Sequence, residues 1–363
     1  MSFQQLKILF VITSLRTGGA EGLLVELAVR LKNKGHIIDI FVFDGTDTFL
    51  KKELIKEEIT VYAGGYGYLQ MWNPFHLSKL NHLIIRNHYD VIHTNNTPAQ
   101  ILGALINSDN KIKLITTEHN TFNRRRKWFG CKIIDAKIYS RYDKVICVSR
   151  EVESKLLKYL RYSLRDKFYV IYNGIDLSKF KNIIVPSVKK DKIIITMIAG
   201  FRKQKDHKTI IKAMLNLPGK YELWLAGEGK TKNKYERFVD ELGLKGRVKF
   251  LGNVTNIPEV LSNSDIIVLS SHYEGMPISL IEAMAAGKPC IASDVDGNRE
   301  IIKGYGLLFN YKDAMDLTLR IKTVNENREL CNQLSNLSLK RSQDFDIDKT
   351  VEQYEKLYLS CVK

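Results

Sequence analysis

The sequence predicts an α/β protein made of two domains, each built on a parallel β-sheet. The first observation is length, because 363 residues exceed what a single hydrophobic core usually organises. The second is the alternation of short apolar runs with segments of helical spacing, which is typical of strands joined by crossover helices. The third is that this alternation starts again after residues 181–192, a polar, basic stretch that contains Pro186. That stretch has the composition of a linker, so we expect a second sheet beyond it.

The first half of the chain begins with an apolar run at residues 7–12, which suits a strand buried on both faces. Residues 21–32 carry leucine and alanine at helical spacing and predict a helix that ends at Gly35. Further strands are predicted at residues 37–43, 54–61, 91–94, 113–117 and 144–148. Strands separated by helices indicate a parallel sheet that is covered on both faces.

The second half repeats the pattern after a short strand at residues 168–171 and the turn signal Asn173-Gly174. Further strands are predicted at residues 192–198, 221–226, 248–251, 266–269 and 289–292, and a terminal helix at residues 347–359. We therefore expect a first domain at residues 1–180, a second at 181–345, and a C-terminal helix at 346–363 that packs back on the first. Ligands of such tandem folds bind in the cleft at the carboxyl ends of the strands.

Composition excludes several classes of protein. Hydrophobic residues make up 44% of the chain and charged residues 26%, which argues against disordered and fibrous proteins. No run of about 18 apolar residues predicts a membrane-spanning helix, and apolar residues 8–12 are too short for the core of a signal peptide. Five scattered cysteines without a C-x-x-C pair do not fit a disulfide scaffold or a zinc ribbon. We expect a cytoplasmic protein with reduced thiols.

The net charge of +16 is concentrated in one segment. Residues 111–167 hold 16 basic and 6 acidic residues, an excess of +10 that equals the excess of the whole first half, with 27 basic and 17 acidic. The segment peaks at Arg124, Arg125, Arg126, Lys127 and Trp128, followed by Phe129. It is either a solvated helix face or a patch for phosphates or an anionic membrane, since tryptophan and phenylalanine favour interfaces. A nucleic-acid groove ranks last because no helix-turn-helix or RNP pattern accompanies the charge.

The segment Thr17-Gly18-Gly19-Ala20-Glu21 lies directly between the first strand and the first helix. Glycines let the backbone approach a ligand, and the helix N-terminus offers free amides and a partial positive charge that suit a phosphate. A tight turn that simply needs glycine is the alternative. The segment does not match G-x-G-x-x-G, so the dinucleotide-binding fingerprint is excluded.

Several cations follow the first strand of the second domain, within residues 200–207. Arg202, Lys203 and Lys205 come at the carboxyl end of that strand, where a diphosphate needs charged partners. The alternative is a basic surface loop without a ligand.

The most specific segment is Glu274-Gly275-Met276-Pro277-Ile278-Ser279-Leu280-Ile281-Glu282, between a strand and a helix. It separates two carboxylates by eight residues, with a glycine and proline turn between them. Glu282 falls in the first turns of the helix, where its carboxylate can accept two vicinal hydroxyls such as those of a ribose. The amides of residues 278–280 would face an anion.

Taken together, these segments resemble the retaining GT-B glycosyltransferases of family 4, also called group 1. Residues 274–282 match the E-x7-E motif of that family. Supporting matches run in order along nearly the whole chain, at residues 17–21, 90–94, 117–119, 173–176 with Phe180, 226–229, 250–252, 283–289 and 296–300. The resemblance implies a GT-B fold, in which two Rossmann-like, doubly wound domains face a central cleft.

The resemblance also implies roles for particular residues. Lys205 would neutralise the departing diphosphate, His119 would contact the donor sugar near the reacting carbon, and Glu282 would bind a ribose. Glu274 would hold the donor sugar and phosphates, together with the backbone of Gly275, Met276, Pro277, Ile278, Ser279 and Leu280. Gly18 and Gly19 would face the diphosphate or the acceptor, and Val254 the base, while Gly227 completes the expected donor site.

The chain departs from the family at one position. The family has an arginine five residues before the lysine. Counting back from Lys205, that position is Gly200 in this sequence. Arg202 lies two residues later, so it either takes over that role or the role is lost. We place Arg202 beside His119, Lys205 and Glu274 as a catalytic residue, with greater weight on Lys205.

The activity implied is retaining transfer of a sugar from a nucleotide diphosphate to a hydroxyl of a glycan or lipid-linked acceptor. The setting implied is bacterial surface polysaccharide synthesis, as of capsule or lipopolysaccharide. A UDP-sugar is the favoured donor and GDP-mannose the alternative. No cofactor and no metal are expected, because Asp294-Val295-Asp296 resembles a D-x-D metal motif only in the wrong context.

The acceptor is expected on the first domain, with the basic peak at residues 124–128 against the acceptor or the inner face of the cell membrane. We therefore expect a cytoplasmic enzyme, peripheral on that membrane if its acceptor is lipid-linked, whereas a soluble acceptor would make the basic peak a solvated helix. No nucleic-acid partner is expected. The alternative from a different class is a non-catalytic protein of the same fold that binds nucleotide sugars or nucleic acid.

Overall fold

The computed structural model describes residues 4–16, 18–67, 70–106, 111–128, 130–181 and 191–362. The chain divides into two compact units. Unit 1 comprises residues 1–174 and 347–363, and unit 2 comprises residues 175–346. Most of the expected linker, including Pro186, lies outside the described residues.

Unit 1 is built on a seven-stranded parallel sheet in the order β3-β2-β1-β4-β5-β6-β7. Its strands are β1 Lys7–Ile12, β2 Ile37–Asp44, β3 Thr60–Tyr66, β4 Val91–Asn95, β5 Lys113–Glu118, β6 Lys144–Cys147 and β7 Phe168–Val170. Its helices are α1 Gly19–Asn33, α2 Phe49–Lys56, α3 Phe75–Asn87, α4 Thr97–Gly103, α5 Cys131–Ser140 and α6 Arg150–Tyr159. The C-terminal helix Ile347–Val362 also belongs to this unit.

The strand order of unit 1 places a topological switch point between β1 and β4. Strand β1 pairs with β2 on one side and with β4 on the other, both in parallel. The connections after β1 and β4 therefore leave the sheet in opposite directions and open a crevice at the carboxyl ends of the two strands. Ligands of doubly wound sheets bind at this place, so residues 18–21 and 95–97 are in position to form a site.

The C-terminal helix is fixed to the sheet of unit 1 through a buried histidine. His93 in β4 bonds through Nδ1 to the hydroxyl of Tyr358 at 2.6 Å and through Nε2 to Oγ1 of Thr117 at 2.7 Å. Its ring also stacks on Tyr354. Burial lowers the pKa of His93 to about 3, so the ring is neutral at physiological pH. These contacts give His93 a structural role.

One predicted strand of unit 1 is wrong over most of its length. Residues 54–56 end helix α2, and β3 begins only at Thr60. The side chain of Thr48 caps α2 by accepting from the amide of Lys51, and Leu54 is the buried residue of this helix. Residues 54–61 therefore join the end of one element to the start of the next across the charged residues 56–58, and a short window cannot separate the two elements.

Unit 2 is built on a six-stranded parallel sheet in the order β10-β9-β8-β11-β12-β13. Its strands are β8 Ile193–Ile198, β9 Tyr221–Ala226, β10 Val248–Gly252, β11 Ile266–Leu269, β12 Cys290–Ser293 and β13 Leu307–Phe309. Its α-helices are α7 His207–Ala213, α8 Lys232–Glu241, α9 Ile257–Asn263, α10 Ile278–Ala285, α11 Asp296–Ile302, α12 Ala314–Glu326 and α13 Arg328–Ser342. The edge strand β13 is absent from the predicted strands because its run of three apolar residues is too short to indicate a strand by itself.

The switch point of unit 2 lies between β8 and β11. Strand β8 pairs with β9 on one side and with β11 on the other, again in parallel. Residues 199–206 follow β8 and residues 270–277 follow β11, so the two most informative segments of the sequence meet at one edge of the sheet.

Candidate active site

A buried ion pair joins the two loops at the switch point of unit 2. Nζ of Lys205 lies 2.5 Å from Oε1 of Glu274, and only 16% and 6% of these side chains are exposed. Gln204 donates from Nε2 to Oε2 of Glu274 at 3.2 Å and to the carbonyl of Tyr273 at 2.9 Å. The structure thus brings two of the predicted catalytic residues together. Gln204 is a partner that sequence reasoning missed.

The loop that carries Glu274 is also held from the other side by α11. A Cβ added to Gly297 would lie 2.7 Å from the carbonyl oxygens of both Glu274 and Gly275. A Cβ does not come that close to a carbonyl oxygen, so only glycine lets this helix approach the loop. Helix α11 therefore packs directly on the backbone around Glu274.

Arg202 lies over the position where the family has its arginine. A Cβ added to Gly200 would lie 3.5 Å from Nε of Arg202, an ordinary contact distance. The Arg202 side chain is exposed and so remains available to a ligand. Its guanidinium group can thus occupy the space beside Gly200 from two residues further along the chain.

Gly227 has a structural reason to be glycine. Its φ is +147°, and an added Cβ would overlap the carbonyl oxygen of Ala199. Gly229 packs in the same way on the carbonyl of Phe201, with a φ of +155°. These two glycines let the loop after β9 lie against the loop that carries the cations after β8.

Helix α10 presents Glu282 from its first turns, as predicted. The residue is half-buried, and burial raises the pKa of its carboxyl to about 7, while the nearby charge of Lys179 opposes that rise. The expectation that residues 278–280 all offer free amides is wrong for Leu280, whose amide donates to the carbonyl of Pro277 at 3.1 Å. Val254 follows β10 and is partly exposed.

The raised pKa of Glu282 predicts a pH dependence of stability. The folded state holds its proton up to about pH 7 and the unfolded state only up to the ordinary value of 4.5, so folding becomes less favourable as pH rises between these values. Replacement by glutamine removes this titration. The difference in stability between Glu282→Gln and the wild type should therefore grow in favour of the variant from pH 4.5 to 7, measured by urea denaturation. Taking this difference cancels the contribution of the buried histidines, and a constant difference would contradict the prediction.

In unit 1, Glu21 folds back over the start of α1. A Cβ added to Gly18 would overlap the carboxylate of Glu21, whose Oε1 also accepts from Nδ2 of Asn96 at 3.3 Å. Gly19 is the first residue of the helix, and Thr17 lies outside the described residues. The glycine segment therefore faces the loop after β4 across the switch point.

His119 follows β5 and lies next to this arrangement. Its Nε2 is 3.0 Å from Oδ1 of Asn95, and burial lowers the pKa of the ring to about 4, so the ring is neutral. Asn96 has a φ of +71° and a ψ of +153°, a backbone conformation that costs about 1–3 kcal/mol in a residue other than glycine. A polar pocket here is lined by Asn96, Thr97, Gln100, Thr117, Glu118, His119 and Asn120.

Asn95 and Asn96 are further site residues that sequence reasoning missed. The available signal was a polar pair placed directly after a buried strand, at the edge where the glycine segment also ends.

The basic peak at residues 124–128 does not form one exposed patch. Arg126 donates to Oε2 of Glu118 at 2.6 Å, and Nε of Arg125 lies 3.0 Å from Oδ1 of Asp135. The two arginine side chains are only 10% and 16% exposed. Both interpretations of the segment, as solvated helix face or as anion patch, are therefore wrong for Arg125 and Arg126. Glu118, eight residues before Arg126, and Asp135, ten residues after Arg125, pair with these two side chains in the interior of unit 1.

Trp128, in the same segment, differs from Arg125 and Arg126 in its exposure. Trp128 is 75% exposed, whereas the side chains of Arg124 and Lys127, and all of Phe129, lie outside the described residues. Beyond Trp128, helix α5 exposes Ile133 by 77% and Ile134 by 59%. Unit 1 thus exposes three apolar side chains, Trp128, Ile133 and Ile134, in a part of the chain where the sequence indicates mainly charge.

Within the described residues, no cluster of three or more histidine, cysteine and acidic side chains is arranged to hold a metal ion. The described helices include none that is both long and apolar enough to cross a membrane.

Two doubly wound parallel sheets, one with a cation–carboxylate pair at its switch point, define the class of GT-B glycosyltransferases. The fold of Anabaena Alr3699/HepE, solved in complex with UDP and glucose, matches with a TM-score of 0.85 at 22% identity. That match covers 98% of this chain and 100% of the other.

The sequence models of two families match consecutive parts of the chain. "Glycosyltransferase Family 4" matches residues 17–179, and "Glycosyl transferases group 1" matches residues 179–341. The two matches together span most of the chain, so this protein belongs to the group 1 glycosyltransferases of family 4, as its motifs predict. It is a glycosyltransferase.

Two relatives illustrate the family. The chain is 28% identical over 313 residues to UDP-Gal:alpha-D-GlcNAc-diphosphoundecaprenol alpha-1,3-galactosyltransferase of Escherichia coli, covering 79% of each chain. It is 33% identical over 202 residues to N,N'-diacetylbacillosaminyl-diphospho-undecaprenol alpha-1,3-N-acetylgalactosaminyltransferase of Campylobacter jejuni, covering 52% of this chain and 53% of that one.

Proposed function

We propose that this protein transfers a sugar from a UDP-sugar to a hydroxyl of a lipid-diphosphate-linked glycan, with retention of anomeric configuration. The observation that carries the proposal is the Lys205–Glu274 pair at the switch point of unit 2, with Arg202 beside Gly200 in the loop that carries Lys205. A cation held by a carboxylate at the ends of the strands suits a donor that carries both a diphosphate and a sugar.

The choice of UDP and of a lipid-linked acceptor comes from the relatives. The Escherichia coli relative is named for UDP-Gal and for a diphosphoundecaprenol acceptor, and the Campylobacter jejuni relative for a diphospho-undecaprenol acceptor. A structure with the same fold holds UDP and glucose. GDP-mannose remains the alternative donor. Synthesis of a surface polysaccharide is the setting that fits such acceptors.

The chemical difficulty of the reaction is the negative charge that develops on the departing diphosphate. Lys205 and Arg202 would stabilise that charge without a bound metal, and preorganised electrostatics of this kind is usually the largest catalytic contribution. The bond from the anomeric carbon to the diphosphate oxygen breaks while the acceptor oxygen bonds to the same face. The departing phosphate oxygen takes the acceptor's proton.

A thermal-shift panel tests the donor class. UDP, GDP, CDP and ADP are added in the absence of metal to the wild type and to Glu282→Ala. A ligand that binds only the folded state raises the melting temperature, by an amount set by its dissociation constant. We expect UDP to raise it in the wild type and not in the variant. Stabilisation by GDP instead would select the alternative donor, and no stabilisation by any of them would favour a non-catalytic role.

The exposed side chains of Trp128, Ile133 and Ile134 would place unit 1 against an anionic membrane. The lipid of a lipid-linked acceptor lies in such a membrane. Lys132 and Lys137, on the same helix α5 as Ile133 and Ile134, add positive charge to this part of the protein. Exposed tryptophan and isoleucine beside lysine are typical of segments that enter the headgroup region.

Co-sedimentation with vesicles that contain phosphatidylglycerol tests this contact. The double variant Trp128→Ser/Ile133→Ser should bind at least about tenfold more weakly, because each buried side chain of this size contributes about 1.5–3 kcal/mol. Phe49→Ser is the matched control, since Phe49 is also exposed on unit 1, by 70%, but lies in α2. Equal binding by the double variant and this control would remove the membrane contact from the proposal.

A further inference from the structure

One buried side chain in unit 1 has an arrangement that the proposed roles leave unexplained. Asn95, the last residue of β4, is 5% exposed. Its Oδ1 lies 3.0 Å from Nε2 of His119, while its Nδ2 has no hydrogen-bond partner among the described residues. Buried amide groups are nearly always bonded, so a buried amide with an unpaired nitrogen calls for an explanation. Here the amide oxygen is directed at His119.

This orientation decides which nitrogen of His119 carries the proton. An amide oxygen can only accept a hydrogen bond, so Nε2 of His119 must be the donor. The pKa of the ring is lowered to about 4 by burial, which keeps it neutral near pH 7. A neutral ring protonated on Nε2 has an unprotonated Nδ1 that can only accept. His119 also lines the polar pocket described above.

The surrounding backbone holds both residues in place. Asn95 is in register with Thr117, which is two residues before His119 and whose hydroxyl lies 2.7 Å from Nε2 of His93. Asn96, next along the chain, has the strained backbone noted above. Strain of this kind concentrates where side chains must be held in one geometry for function.

We propose that Asn95 is a positioning residue that fixes the proton of His119 on Nε2, so that Nδ1 accepts a hydrogen bond from a hydroxyl of the transferred sugar. The identity of the ligand rests on the proposed function, whereas the pairing of Asn95 with His119 does not. An acceptor nitrogen favours a sugar that has a free hydroxyl at the contacted carbon over its deoxy analogue, which would leave Nδ1 unpaired.

Nitrogen NMR of histidine-labelled protein reads the tautomer directly. The His119 signals are assigned by their loss in His119→Gln. We expect the Nδ1 signal of an unprotonated nitrogen and the Nε2 signal of a protonated one in the wild type. Asn95→Leu keeps the volume but removes the acceptor, so the two tautomers should mix. Asn95→Asp keeps the acceptor and adds a negative charge, which should protonate the ring on both nitrogens.

Kinetics supply the second readout. Asn95→Leu should lower kcat by about three- to tenfold, the effect of one hydrogen bond, and leave the thermal shift by UDP unchanged because unit 2 supplies the nucleotide-binding residues. Asn87→Leu is the matched control, since Asn87 ends α3, outside the pocket.

The experiments distinguish a failure of the role of Asn95 from a failure of the proposed donor. A wild-type His119 protonated on Nδ1, or a tautomer and a kcat that Asn95→Leu leaves unchanged, would overturn the role of Asn95. Absence of any shift by UDP overturns the donor in the proposed function and with it the sugar hydroxyl as ligand. The NMR result then still decides the pairing of Asn95 with His119.

Discussion

Replacing Lys205 with alanine is expected to lower kcat by about 10²–10³-fold, the usual effect of removing one preorganised group that stabilises developing charge. The effect should be this large because Lys205 is held in place before the donor arrives. Its ammonium group lies 2.5 Å from Glu274, and that carboxylate also accepts from Gln204. Turnover is measured with a UDP-sugar donor and a lipid-diphosphate-linked acceptor, and kcat is compared at saturating donor.

Loss of Lys205 also removes the partner of a buried carboxylate, so stability must be separated from catalysis. Breaking a buried pair from one side costs about 3–5 kcal/mol because the remaining charge is uncompensated. The double variant Lys205→Ala/Glu274→Gln should regain most of the lost stability and none of the lost turnover. Lys203→Ala is the matched control, because Lys203 is an exposed cation of the same loop. A fully active Lys205→Ala would refute the charge-stabilising role.

Replacing Arg126 with alanine is expected to destabilise unit 1 by about 3–5 kcal/mol. Arg126 donates at 2.6 Å to Glu118, which also accepts from the hydroxyl of Tyr139 at 2.6 Å. The arginine and glutamate side chains are 10% and 8% exposed, so solvent cannot stabilise Glu118 once Arg126 is gone. The midpoint of urea denaturation, followed by circular dichroism, measures the loss.

Variants of Arg126 also distinguish a structural role of the basic segment from a role in binding an anionic membrane. Arg126→Ala/Glu118→Gln should recover much of the stability, because it removes the uncompensated charge. Lys137→Ala, the removal of an exposed cation on α5, should change stability by no more than about 0.5 kcal/mol. If Arg126→Ala instead kept wild-type stability and lost binding to anionic vesicles, Arg126 would belong to an exposed patch.

Much of the fold could be predicted because the signals are local. The apolar run at residues 7–12 coincides with β1, and the helical spacing at 21–32 lies within α1 Gly19–Asn33. A strand buried on both faces must be apolar at nearly every position, and a helix that covers the sheet must be apolar on one face. The strand predicted at 54–61 fails because apolar residues of two adjacent elements, Leu54 and Ile55 of α2 and Val61 of β3, fall within one short window.

The candidate site was only partly predictable, because the contacts of a side chain depend on distances in the folded structure and not on spacing in the sequence. Glu274 and Lys205 are recognisable from their segments, but their pairing needs β8 and β11 to be neighbours. Gln204 lies beside Lys205 in the sequence, with nothing to indicate that its amide reaches Glu274. Asn95 and His119 are likewise brought together only by the pairing of β4 with β5.

The sequence by itself determined the fold class, the family and the segments that follow each switch-point strand, because periodicity, glycine spacing and the paired glutamates are properties of neighbouring residues. The tertiary structure alone decided which charges are free. In the folded chain, Arg125 pairs with Asp135 and Arg126 pairs with Glu118, and both arginines are largely buried. Trp128, Ile133 and Ile134 are exposed. The physical reason is that the free energy of a charge depends on its burial and on the partners that the folded chain places within reach.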